Sequence, residues 1–382
     1  MRGAFETGVY PDIFAAAGYP SEEIERKKED IFETLFYGSE DMRIYHETGE
    51  DMAYIEDTGN HDVRTEGMSY GMMMCVQMNK KCEFDRLWKW AHTYMYLTEG
   101  ENAGYFAWSC QTDGTKNSFG AAPDGEEYFA MSLFFAAHRW GNGKGIFDYE
   151  SQAKALLSDC LHKGEHGTPG RAMWDAERKL IRFVAEVDFT DPSYHLPHFY
   201  ELFGRWANEE DRAFFLEAAE KSREYLKKAC HPITGLCPEY ADYDGTPYTD
   251  GEELWGGRHD WYYSDAYRTI GNIALDYLWF AADDWAIGQA ERLQRFFCET
   301  LRKEDADGIF AVDGMVLDGK ALHPVAVIAT NAQASLIAGG RNAQECLKRF
   351  WETPLRSGER RYYDNCLYFF AFLALSGNYR IY

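Results

Sequence analysis

The sequence predicts an all-α fold: an (α/α)6 barrel of six inner and six outer helices, with short β-hairpins in its long loops. Three observations predict it. Helical periodicity dominates the chain, its helical segments are of two alternating kinds, and the links between them alternate in length.

The first kind of segment is amphipathic with a charged face and covers 22–36, 82–98, 149–163, 209–229, 284–302 and 342–352. In 82–98, Phe84, Leu87, Trp88, Ala91, Tyr94 and Met95 fall at three- and four-residue steps. In 209–229, Asn208 is placed as N-cap, acids fill the first turn, and Phe215, Ala218, Ser222, Tyr225 and Leu226 share one face. The second kind is small-residue-rich or apolar nearly all round: 66–79, 125–140, 194–206, 264–282, 328–338 and 363–375. A helix apolar on every side belongs inside, and an amphipathic one outside.

Links that follow inner helices are short, such as 80–81, 207–208 and 283, with 141–148 the longest. Links that precede them are long, and 309–317 (Ile-Phe-Ala-Val-Asp-Gly-Met-Val-Leu) reads as a hairpin. The long loops therefore gather at the end of the barrel where the inner helices begin. Loops on a rigid scaffold carry function. No Pro/Ser-rich linker divides the chain, so residues 1–382 are expected to form a single domain.

Composition narrows the function. A net charge of −24 lacks the basic footprint that nucleic acid or an anionic membrane requires, and it disfavours anionic substrates. A neutral ligand fits. No run of about 18 apolar residues is present to span a bilayer. Nine cysteines without CxxC spacing, several inside apolar helices, read as reduced thiols; with no apolar leader after Met1, a cytoplasmic home is expected. Aromatic residues reach 16%, and Tyr and Trp offer a flat apolar face with a polar handle, as sugar rings require. Oligomeric state has no signature here.

Polar and aromatic residues cluster at the entrances of the inner helices: Glu66 with Tyr70, Asp124 with Glu126 and Glu127, Asp191 with Tyr194 and His195, Asp265 with Tyr267 and Arg268, His323 with Pro324, and Tyr363 with Asp364. In the barrel, Glu66, Asp124, Asp265 and Asp364 would converge on one cleft. Glycoside cleavage needs such a set, one carboxyl kept protonated to donate to the leaving oxygen and another ionised to activate water or attack. The competing reading is that each acid caps its helix. His195 and His198 share a helical face but lack the Glu of HExxH, so they read as structural. Phosphate-binding glycine loops and a GxSxG elbow are absent.

These residues resemble glycoside hydrolase family 8. Thr65-Glu66-Gly67-Met68-Ser69-Tyr70-Gly71-Met72 looks like its general-acid motif, and the stretch from Ala122 through Asp124-Gly125, Ala130, Ser132-Leu133 and Ala136 to Trp140 resembles its signature. That signature departs here at Pro123, where Ser or Thr is usual, and at Glu126, where Asp is usual. Asp265-Ala266-Tyr267-Arg268 is similar to the stretch that carries the general base. The resemblance implies an inverting enzyme without cofactor or metal, with Glu66 as acid, Asp265 as base and Asp124 against the sugar at subsite −1.

Asp191-Pro192-Ser193-Tyr194-His195, Leu322-His323-Pro324 and Arg361-Tyr362-Tyr363-Asp364-Asn365 are similar to a subgroup that releases xylose from the reducing end of β-1,4-xylo-oligosaccharides. It implies that the Leu-His-Pro loop closes the cleft beyond subsite +1, with His323 facing the reducing-end sugar. Tyr194 is the candidate holder of the attacking water and Trp108 a candidate stacking platform. Arg268 and Tyr363 are further candidate substrate contacts. Three alternatives stand: an endo-acting xylanase or β-glucanase of the same family, a sugar epimerase or isomerase on the same barrel, and a non-catalytic sugar-binding protein.

Overall fold

The computed structural model describes residues 2–249 and 257–382. Among these, twelve α-helices of ten residues or more alternate between outer and inner positions. The outer helices are α1 (Ser21–Tyr37), α3 (Lys81–Trp90), α5 (Tyr149–His162), α7 (Arg212–Ala229), α9 (Trp285–Arg295) and α11 (Gly340–Glu352). The inner ones are α2 (Thr65–Gln77), α4 (Pro123–Trp140), α6 (Pro197–Trp206), α8 (Arg268–Phe280), α10 (Pro324–Gln333) and α12 (Arg361–Leu375).

Each inner helix packs on the next, and α12 packs back on α2, so the inner ring is closed. Burial follows composition. Every residue of α12 is buried, whereas α7 buries Phe215, Ala218, Ala219, Ser222, Tyr225, Leu226 and Ala229 and leaves its charged face in water. Inside the ring an aromatic chain runs from one inner helix to the next. Tyr70 meets Tyr128 at 4.7 Å and Phe370 at 5.1 Å, Tyr128 meets Phe199 at 4.9 Å, and Phe199 meets Trp279 at 6.3 Å. α2 and α4 come especially close: a Cβ on Gly125 would sit 2.4 Å from the Thr65 side chain, so only glycine permits this approach.

The expected hairpins are present. β1 (Tyr45–Thr48) pairs with β2 (Met52–Ile55), and β5 (Trp174–Asp175) with β6 (Leu180–Ile181). β3 (Val63–Arg64) pairs across a long interval with β4 (Ser109–Cys110), and β8 (Ile309–Ala311) joins β7 (Trp261–Tyr262) to β9 (Val316–Leu317). No helix among the described residues is long and apolar enough to cross a membrane.

Three local expectations need correction. Asn208 does not cap with its side chain; a 3-10 turn over Glu209–Asp211 intervenes before α7 begins. α10 starts four residues before the expected 328, because Pro324 occupies its first turn, where a missing N–H costs nothing. The outer segments 82–98 and 284–302 both finish in a π-turn, Ala91–Met95 and Phe296–Thr300, rather than as continuous α-helix.

The last long helix of the chain also packs on the first. Phe32 of α1 is fully buried, stacks on Phe36 at 4.1 Å and meets Phe369 of α12 at 6.3 Å. Phe32→Ala should therefore lower stability by about 3–5 kcal/mol, read as a shifted denaturation midpoint. A loss below about 1 kcal/mol would show that this packing carries little of the stability.

Candidate active site

Thr65 continues directly from β3, and its N–H donates to the Trp108 carbonyl at 3.0 Å, so the β3–β4 pair fixes where α2 starts. Glu66, the second residue of α2, is thereby aimed across the mouth of the barrel. A 3-10 turn over Ser264–Tyr267 leads into α8 and presents Asp265. Ser264 adopts φ +38°, a left-handed conformation that a non-glycine residue takes at a cost, and its carbonyl accepts the Tyr363 hydroxyl at 3.1 Å. Asp124 sits in the first turn of α4.

One guanidinium binds these three acids. Arg268 Nη1 lies 2.9 Å from Glu66 Oε2, 2.9 Å from Asp124 Oδ2 and 2.7 Å from the Tyr70 hydroxyl, and Nη2 lies 3.2 Å from Asp265 Oδ1. The rings of Tyr194 and Tyr363 flank its Cζ at 5.4 and 5.9 Å. Tyr362 donates its hydroxyl to the other Glu66 oxygen at 2.6 Å. That approach needs Gly67, because a Cβ there would meet the Tyr362 ring at 2.8 Å.

Three carboxyl groups around a single cation cannot all ionise comfortably in a buried place. Burial pushes Glu66 up to about 7; Arg268 pulls the other way, and Asp124 and Asp265 add to the rise. Asp124 is likewise raised by burial. The side chains of Glu66 and Asp124 are 14% and 8% exposed, against 26% for Asp265. Glu66 is thus suited to hold a proton near neutrality, while Asp265 is the acid that water can reach.

The cavity above them, about 300 Å³, is lined by Glu66, Asp124 and Asp265, with Arg64, Trp108, Phe183, Tyr194 and Tyr240 among its walls. Trp108 stands at the rim, 37% exposed, with the Arg64 guanidinium 5.4 Å from its ring centre. Five expected residues therefore share one cavity: Glu66, Asp265, Asp124, Tyr194 and Trp108.

The other candidates are placed differently. Arg268 and Tyr363 do not line this cavity; Arg268 is spent on the three acids and Tyr363 on Ser264. His323 also stands outside it, its ring tilted against that of Tyr363 with centres 4.8 Å apart. Asp364, expected among the converging acids, is fully buried and instead accepts the Ala326 N–H of α10 at 2.7 Å, so it is the one that caps a helix, and a neighbouring helix at that. His195 is held between Thr190 and Ser222 at 3.0 and 2.9 Å, and burial presses both His195 and His198 down to about 3, which keeps them neutral. Among the described residues no group of three His, Cys, Asp or Glu side chains could hold a metal. Tyr362 and Arg64 were missed: both lay inside or beside quoted motifs, but nothing in their spacing marks them as partners of Glu66 and Trp108.

The pH profile tests this arrangement. An acid that must be protonated gives kcat/KM an alkaline limb at its own pKa, here near 7, with activity lost as pH rises through it. The Tyr362 hydrogen bond favours ionised Glu66, so Tyr362→Phe should move that limb to higher pH. A limb that stays in place, or moves down, would contradict the assignment of the limb to Glu66.

Comparison with known proteins identifies the family and the fold. The model of "Glycosyl hydrolases family 8" matches residues 42–377. A reducing-end xylose-releasing exo-oligoxylanase, Rex8A of Paenibacillus barcinonensis, is 56% identical over 382 residues, 100% of this chain and 99% of that protein. One from Halalkalibacterium halodurans is 56% identical over 383 residues, 100% of this chain and 96% of that protein. The structure of Rex8A from Paenibacillus barcinonensis complexed with xylose superposes with a TM-score of 0.96 at 55% identity, over 100% of both chains. The all-helical barrel with its acid cluster is thus that of a glycosyl hydrolase, and the chain belongs to family 8.

Proposed function

We propose that this chain hydrolyses β-1,4-xylo-oligosaccharides and releases xylose from the reducing end, with inversion at the anomeric carbon. The observation that carries the chemistry is the unequal setting of two acids around Arg268: Glu66 is the more enclosed and is raised to about 7, and Asp265 is the most open of the three. Environments that push two carboxyls apart assign acid and base. Glu66 donates its proton to the glycosidic oxygen as the bond breaks. Asp265 takes a proton from the water that attacks the opposite face of the sugar, and Tyr194 holds that water. Asp124 binds the sugar at subsite −1, and Trp108 stacks on a ring further along the cleft.

The substrate and the point of cleavage rest on the two relatives at 56% identity across the full chain, both described as reducing-end xylose-releasing exo-oligoxylanases. In this reading His323 and its loop close the reducing-end side. The single-domain reading rests on the closure of the inner ring and the packing of α1 on α12. The cytoplasmic expectation rests on nine free cysteines, of which only Cys82 is exposed and Cys298 half-buried.

Glu66→Gln and Asp265→Asn should each cost about 10²–10⁴-fold or more in kcat while the fold survives, since both replacements are nearly isosteric. Near-normal turnover in either variant removes that residue from the chemistry. Intact enzyme on xylohexaose should give xylose and xylopentaose first, with the α-anomer at the newly formed reducing end by NMR. Mid-length fragments appearing first would establish the endo-acting alternative, and a β-anomer would exclude inversion.

A further inference from the structure

Asp364 lies outside the acid cluster, yet its surroundings are built with care. Oδ1 accepts the Ala326 N–H, which accounts for helix capping. Capping does not account for Oδ2, which accepts from Arg356 Nη1 and faces His323 Nδ1 at 3.2 Å. Arg356 Nη1 also donates to the Leu322 carbonyl at 2.6 Å, so it ties the residue before His323 to the carboxyl that faces the ring. Its own backbone is fixed by Asn365, whose side chain accepts the Arg356 N–H and donates to the Arg356 carbonyl, both at 2.8 Å.

The other two groups that meet Asp364, the Ala326 N–H and Arg356 Nη1, can only donate. A carboxylate in that position requires the proton of the neutral imidazole to sit on Nδ1, leaving a bare lone pair on Nε2. Among the described residues no protein group bonds Nε2, and the His323 side chain is 11% exposed. The ring therefore has one nitrogen tied and one open, and the open one can only accept.

We propose that Asp364 and Arg356 are positioning residues which hold His323 as an acceptor-only imidazole, so that the reducing-end subsite requires a sugar hydroxyl able to donate. This rests on the reading of His323 given under the proposed function. The anomeric hydroxyl of a free reducing end is the most acidic hydroxyl of a sugar and a good donor. A glycosidic oxygen on the same carbon has no hydrogen and would set lone pair against lone pair. The device therefore rejects a reducing end blocked by a group too small for any wall to exclude, such as a methyl glycoside. A site built around a substrate hydroxyl discriminates strongly against analogues that lack it.

The measurement compares kcat/KM for xylotriose with that for methyl β-xylotrioside, in the intact enzyme and in Asp364→Asn. The asparagine amide can donate to Nδ1 and so move the proton to Nε2. The preference for xylotriose should then fall about tenfold or more, while hydrolysis of 4-nitrophenyl β-xylobioside, which has no anomeric hydroxyl to read, stays within about twofold. Nitrogen-15 NMR of the intact enzyme, with the His323 signal assigned by its loss in His323→Gln, should show the Nδ1–H tautomer. An Nε2–H or doubly protonated ring overturns the proposal, and it decides the matter even if Asp364→Asn does not fold. A folded Asp364→Asn enzyme with an unchanged preference overturns it too. If the intact enzyme releases xylose first from xylohexaose under either of those results, only this proposal falls. Mid-length fragments first would remove the exo-acting reading and this proposal with it.

Discussion

The site depends on one buried cation. Arg268 opens α8, and its guanidinium reaches Glu66 and Tyr70 on α2, Asp124 on α4 and Asp265 on the turn before α8. Removing one partner of a buried charge pair leaves the other uncompensated and typically costs about 3–5 kcal/mol. Here a single side chain compensates three acids from three stretches of chain. The same contact that makes the cluster tolerable also fixes the directions in which its members point. Since one positive charge cannot balance three negative ones, the cluster itself keeps a proton, and the most enclosed acids are where that proton costs least.

This end of the barrel holds more buried acids than the cavity uses. Glu126 accepts the Phe106 N–H at 3.0 Å, Glu127 accepts the Tyr200 hydroxyl, and Asp191 accepts the Ser193 N–H at 2.6 Å. Burial pushes Glu126 up to about 8 and raises Glu127 and Asp191 as well. A raised carboxyl is therefore not by itself a mark of catalysis in this protein. What separates Glu66 is its place in the cavity wall, beside a second acid that water can reach.

Most of the fold was legible in the sequence, because the difference between helices buried all round and helices buried on one side is written in composition. The alternation of α7 with α8, or of α11 with α12, follows directly from where charges are tolerated. Helix starts were less legible where a turn of another kind intervenes: the 3-10 turns before α7 and α8 carry the same residue types as a helix N-terminus. Of the site, Glu66, Asp124, Asp265, Tyr194 and Trp108 could be gathered from the helix entrances. Asp364 could not be told apart from them, since an acid at the start of an inner helix looks the same whether it faces the cleft or the next helix. Tyr362 and Arg64 act through distances across the barrel mouth, which no local pattern encodes.

The packing of α12 on both α1 and α2 has a consequence for how the chain is made. During synthesis α1 emerges early, yet the helix it packs against is the last long one to appear. Until then, the part of α1 around Phe32 that meets Phe369 and one flank of α2 lack this neighbour, and the nascent chain carries that hydrophobic surface uncovered for nearly its whole length. Contacts of such sequence separation form late and slowly, and species that await them are prone to associate. Mutations at this seam would thus show themselves first in the yield of soluble protein, before any loss in the turnover of molecules that do fold.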